Sequence, residues 1–159
     1  MPDTKPPPRD DEAIRLFVER MALTMSELGF PRMAARVVYT VMSADDPMTA
    51  AEIGERLGVS PAAISGAVRH LTQLGMLIRE PVPGSRRDRY RVPEDSWLEV
   101  LNLKGGVYKM FADMADEGVR ALGEQTPGGR RVAYMRDFFV FVQGEIDGMV
   151  ARWRASRQA

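Results

Sequence analysis

The sequence has no cysteine, which excludes disulfides, thiolate metal sites and thiol redox sensing. It has one histidine, His70, which leaves no obvious metal-ligating set, and no glycine-rich phosphate loop is present. Acidic residues are scattered along helix faces without a pairing that spacing establishes, so catalysis finds no support. The longest purely apolar run near the C-terminus, "FFVFV" at 138–142, is far short of a bilayer span. The opening stretch "MPDTKPPPRDDE" has no apolar core of the kind a signal peptide carries and reads as a solvated tail. The expectation is a cytoplasmic protein, not an enzyme, working without metal, cofactor or membrane.

Net charge is also missing, because 22 basic side chains balance 22 acidic ones. The distribution is uneven. Residues 1–59 carry a net −3, residues 60–92 a net +4, and residues 93–159 a net −1. Positive charge gathered in about a fifth of the chain is the footprint of a nucleic-acid surface. Its centre is "GSRRDRYRV", where Arg86, Arg87, Arg89 and Arg91 fall within six positions. A solvated arginine loop would have the same composition, and the structure that precedes the loop decides between the two. At 159 residues and 45% hydrophobic, the chain holds one compact domain, or a small domain with an extension.

Ile14, Phe17, Val18, Met21, Met25 and Leu28 recur at helical spacing and predict a helix over 11–28, closed by Gly29. A second helix follows with Met33, Val37, Val38, Val41 and Met42 as its buried stripe, ending at Asp45–Pro47. Next comes "MTAAEIGERLGVSPAAISGAVRHLTQLGMLI". Thr49 and Glu52 stand in capping-box relation, Ile53 and Leu57 form a buried pair, and Gly58 stops the helix. One residue later Ser60 caps a new helix with Pro61 at its first position, burying Ile64, Val68, Leu71 and Leu74 up to Gly75. Two short helices joined by a tight turn make a helix-turn-helix.

The outer face of the second helix carries Ala62, Ala63, Ser65, Gly66, Arg69, Thr72 and Gln73, with no acid between Ser60 and Gly75. Such a face suits close approach to a polyanion. "MLIRE" then reads as a strand, "PVPGSRRD" as a turn and "RYRV" as a returning strand, with Tyr90 and Val92 on one face and Arg89 and Arg91 on the other. Helix-turn-helix plus a hairpin with a basic tip is a winged helix. Its arginines are placed to reach phosphates or a minor groove beside the major groove that the helix fills.

In this block, in the wing "GSRRDRYRV" and in "EDSW" just after it, the chain resembles the MarR superfamily of bacterial transcription regulators, and most closely its GbsR-like branch. The order of two helices before the block and long helices after it agrees. The Leu-Thr pair that often follows the wing in broad MarR members is replaced by "VPEDSW", which points to that branch. The usual Asp-x-Arg wing pattern is ambiguous here, since Asp88 lies between Arg87 and Arg89. Arg86 or Arg87 at the tip is assigned the minor-groove role, with Arg89 beside them.

From Asp95 to Leu122, Trp97, Leu98, Leu101, Tyr108, Phe111, Met114 and Val119 predict one long helix, weakened or kinked at Gly105 and Gly106. "GEQTPGG" reads as a break. A last helix carries Val132, Met135, Phe138, Phe139, Val142, Ile146, Met149, Val150 and Trp153. These faces hold more apolar surface than a small winged helix covers, so a two-fold homodimer is expected. The resemblance implies that the first and last helices build it, with Phe17, Phe138, Ile146 and Trp153 at the interface. Trp97, Tyr108 and Phe111 either belong to the core or line a small-molecule effector cavity, as in regulators of this kind.

The expected fold is mainly α with a small β-hairpin wing, a winged helix-turn-helix with flanking dimerisation helices. Its divisions are a disordered proline-rich tail over 1–10, a dimerisation helix over 11–30, the winged helix over 31–93 and a helical dimerisation region over 94–159. Ser60, Ala62, Ala63, Ser65 and Arg69 are the expected reading residues. The expected partners are double-stranded DNA bearing an inverted-repeat operator and a second copy of the chain. A winged helix serving as a protein-interaction module is the other reading; the acid-free face and the arginine tip favour DNA.

Overall fold

The computed structural model describes residues 9–94 and 96–157, the side chains of 97–105 excepted. It divides into two compact units, Met1–Ser96 and Trp97–Ala159. Residues 1–8 of the expected tail lie outside the described residues. Arg9 and Asp10 do not: Arg9 is held by Asp45 at 3.1 Å and by the Ser43 carbonyl at 2.9 Å, and Asp10 caps the first helix by accepting from the Ala13 amide at 2.9 Å.

In the first unit, α1 (Asp11–Glu27) buries Val18 and Ala22 and ends before Gly29, whose φ of 86° only glycine adopts without strain. Phe17 sets its edge on Tyr39 of α2 (Arg32–Met42) at 5.9 Å between ring centres. Helix α2 buries seven of its eleven residues, including Val37 through Val41, and forms the centre of the unit, with Arg32 and Arg36 paired to Glu19 on its polar side. The Thr40 hydroxyl, buried among them, donates to the Arg36 carbonyl at 2.7 Å.

Helix α3 (Ala50–Leu57) starts at the capping box read from sequence: Glu52 accepts from the Thr49 amide at 2.7 Å, and Thr49 Oγ1 accepts from the Glu52 amide at 3.2 Å. Gly58 takes the left-handed conformation, and Ser60 caps α4 (Pro61–Gln73) two residues later. Helix α4 buries Ile64, Ala67, Val68 and Leu71; Leu74, expected to be buried, is its C-cap and only half-buried.

Three strands form one antiparallel sheet, β1 (Met48–Thr49), β2 (Ile78–Pro81) and β3 (Asp88–Arg91), in the order β1-β3-β2. The two-residue β1 was not expected, because Thr49 already had a role as a helix cap. It pairs Met48 with Tyr90 and Thr49 with Arg89, tying the start of α3 to the wing. The first wing strand starts two residues later than expected. Met76 and Leu77 are buried in the core, where they bridge from α4 to a ladder that begins at Ile78.

The second unit is a pair of long helices, α5 (Ser96–Leu122) and α6 (Pro127–Arg157). Helix α5 runs unbroken through Gly105 and Gly106, since the helical hydrogen-bond ladder needs no side chain. The break is shorter than "GEQTPGG". Thr126 caps α6 by accepting from the Gly129 amide at 2.9 Å, and Pro127 takes the first helical position, so Gly128 and Gly129 lie inside the first turn. Small residues (Ala112, Ala115, Gly129 and Ala133) are buried in the pair and let the two backbones come close. A Cβ on Gly129 would lie 2.0 Å from the Gly123 carbonyl oxygen. Gly129→Ala therefore forces the loop away from α6 and destabilises this unit by about 3 kcal/mol, the upper end of ordinary overpacking. Thermal unfolding followed by circular dichroism checks this; an unchanged melting point would show that the turn yields freely.

Candidate nucleic-acid interface

The face of α4 expected to read DNA is mostly exposed. Ala62, Ser65, Gly66 and Arg69 are exposed; Ala63 is half-buried. The Ser60 hydroxyl is committed to capping, accepting from the Ala63 amide at 3.4 Å, so Ser60 positions the helix before anything else. His70, next to Arg69, is half-buried with its ring 5.9 Å from that of Phe30, a packing role.

The wing turns at Val82-Pro83-Gly84-Ser85, with the Ser85 amide donating to the Val82 carbonyl at 3.0 Å and Gly84 at φ 75°. Proline second and a positive-φ glycine third is the signature of a type II turn. Beyond it the Arg87 amide donates to Ser85 Oγ at 3.0 Å, which holds the tip together. Arg86, Arg87 and Arg89 are all exposed. Arg69, Arg86 and Arg87 enter no ion pair among the described residues.

The other arginines of the hairpin are engaged. Arg91 is paired with Glu80 across the two wing strands. On the opposite face Asp88 accepts from Arg79, at 2.7 Å from Nε and 2.6 Å from Nη2. This settles the role of Asp88 within the fold: its partner is Arg79 of β2, and it leaves the tip arginines alone. Sequence reading missed Arg79, since nine positions separate the pair and only the strand register brings them together.

Arg89 faces Thr49 in the register and lines a groove of 350 Å³ with Glu52, Glu55 and Arg87. The amide and hydroxyl of Thr49, with Arg89 nearby, hold the Glu52 carboxyl below its usual pKa. On the other side of the wing, a groove of 400 Å³ lies between α4 and the sheet, lined by Ser65, Arg69, Thr72, Gln73, Arg79 and Tyr90, among others.

In the second unit, Tyr108 and Phe111 both stack on Phe139, at 6.1 and 5.2 Å, and so pack α5 on α6; the side chain of Trp97 lies outside the described residues. On α6 it is Phe139 that turns inward, while Tyr134, Phe138 and Phe141 are 80%, 54% and 64% exposed. Ile146 is half-buried and Trp153 exposed, with Arg157 over its ring. In α1, Leu16, Phe17 and Leu23 are exposed, as is Leu28 at its C-cap. Among the described residues no helix is long and apolar enough to cross a membrane, and no group of three His, Asp or Glu side chains is arranged to hold a metal ion.

Comparison with known proteins bears on these same segments. Residues 28–88 match the MarR family profile, and residues 95–156 match a profile described as MmpR5-like MarR family transcriptional regulator. The HTH-type transcriptional regulator MmpR5 of Mycobacterium tuberculosis is 27% identical over 139 residues, covering 86% of this chain and 84% of that one. The HTH-type transcriptional repressor OpcR of Bacillus subtilis is 28% identical over 87 residues, covering 55% of this chain and 47% of its own. A crystal structure described as a transcriptional regulator superposes with a TM-score of 0.78 at 27% identity, over 90% of this chain and 99% of the other. With a winged helix in its first unit and profile matches on both sides of the wing's end, the chain belongs to the MarR family of transcriptional regulators.

Proposed function

We propose that the chain acts in the cytoplasm as a homodimeric repressor that recognises an inverted-repeat operator in double-stranded DNA. The observation that carries this is the pairing of an exposed, acid-free α4 face with a wing tip whose Arg86 and Arg87 are free of ion pairs among the described residues. Unpaired, exposed arginines at a turn add little to stability, whereas beside a reading helix they neutralise phosphates. Membership of a transcription-regulator family and likeness to OpcR support the repressor reading. Within the family we place the chain in the GbsR-like branch, on "VPEDSW" after the wing.

The exposed apolar positions of α6, with those of α1, are the material for a second copy. Tyr134, Phe138 and Phe141 fall at i, i+4 and i+7 and so share one stripe. A mobility-shift assay with salt titration tests the DNA reading. Retardation of duplex at low salt, with affinity falling linearly in log–log form as salt rises, is the expected result. No retardation of any duplex at low salt would leave a protein-interaction module in its place. In the same assay Arg86→Ala with Arg87→Ala weakens binding to every duplex and lowers the salt slope by about 1.8, at about 0.9 per phosphate contact. The parental slope in that variant would take the wing tip off the DNA.

A further inference from the structure

A helix in a major groove and a wing in the neighbouring minor groove must straddle the sugar-phosphate strand that separates them. Among the described residues, one groove lies on the α3 side of the wing and another on the α4 side. In the one toward α3, Glu52 and Glu55 offset Arg87 and Arg89, so the groove offers an anion no net positive charge. The one toward α4, of 400 Å³, has no acidic side chain in its lining, and Arg69 and Arg79 both face it. We infer that this second groove seats the strand, with Arg79 as its phosphate ligand. Arg79 is then a DNA contact that belongs to neither the reading helix nor the wing tip. The inference rests on the DNA-binding reading above.

The geometry of Arg79 fits the role. Asp88 accepts from Nε and Nη2 on one oxygen, Oδ2, and so fixes one edge of the guanidinium. The five N–H donors of arginine exceed what that oxygen takes, and Nη1 remains for a second anion. Arg79 is 63% exposed along its side chain, while Asp88, at 22%, is tucked behind it. Tyr90, directly opposite Arg79 in the register, and Gln73 on α4 supply further donors along the groove. Thr72 contributes no donor, because its hydroxyl is given to the Val68 carbonyl at 2.8 Å. A cross-strand clasp alone would need neither the exposure nor the open edge.

Replacing the pair by Arg79→Met with Asp88→Leu removes one charge of each sign, so net charge is unchanged and any loss of salt slope is local. The double variant and the parent are titrated with salt on one operator duplex and one random duplex. The expected result is a fall in slope of about 0.9 and a loss of about tenfold on both duplexes alike. Arg79→Gln, which keeps an amide donor for Asp88, is read in parallel in case the apolar pair unfolds the hairpin; the same fall in slope is expected. Parental slope and affinity in whichever of these variants is folded would make Arg79 a clasp of the hairpin and overturn the inference. A parent that binds no duplex would instead remove the DNA-binding reading itself.

Discussion

Arg69→Ala weakens binding to the operator by about 1–3 kcal/mol, relaxes preference at one base pair in each half-site, and leaves the affinity for random duplex little changed. The argument is one of reach. Between Ser60 and Arg69 the exposed positions are Pro61, Ala62, Ser65 and Gly66, small enough to bring the α4 backbone close to base edges but unable to make a bidentate contact. Arg69 has the one long forked donor there, and guanine O6 and N7 are the acceptors that match it. No ion pair among the described residues restrains it, so none has to be broken on binding. Competition of operator and single-site variants against labelled operator measures the effect. Equal losses on operator and random duplex would assign Arg69 to the phosphate strand in the neighbouring groove.

The winged helix was legible because its signals are local. The Thr49–Glu52 box, Gly58, Ser60–Pro61 and Pro83–Gly84 each act through contacts within four residues, and each appears in the structure as its spacing implies. What was not legible depended on register or on competition for burial. Strand β1 is two residues long and exists only because β3 lies beside it. Asp88 could not be matched to a partner until Arg79 was brought across the hairpin. On α6, Phe138 and Phe139 are equally apolar neighbours. Only the stacking of Tyr108 and Phe111 from α5 shows that Phe139 packs inward, while Phe138 is 54% exposed. Of the expected reading residues, Ser60, Ala62, Ser65 and Arg69 are exposed and Ala63 is half-buried, but a sequence has no means of showing that the hydroxyl of Ser60 is already committed to its own helix.

That outward turn of Phe138 shapes the largest expected effect. One winged helix reads only a few base pairs, so operator specificity needs two held at a fixed separation, with half-sites about 10 base pairs apart. At an exposed site aspartate costs the single chain little, whereas across a two-fold interface it buries an unpaired charge, and symmetry places it there twice. Phe138→Asp is therefore expected to remain folded, to run as a monomer in light scattering, and to lose about a thousandfold in operator affinity, the gap between specific and non-specific binding. Ile146→Asp is the less clean probe, since Ile146 is half-buried and the charge would also disturb the packing of its own helix. Binding to random duplex should fall far less in Phe138→Asp, because every arginine of α4 and the wing is intact. A folded, monomeric Phe138→Asp that held the operator as tightly as the parent would show that one copy suffices. The apolar stripe of α6 would then need another explanation.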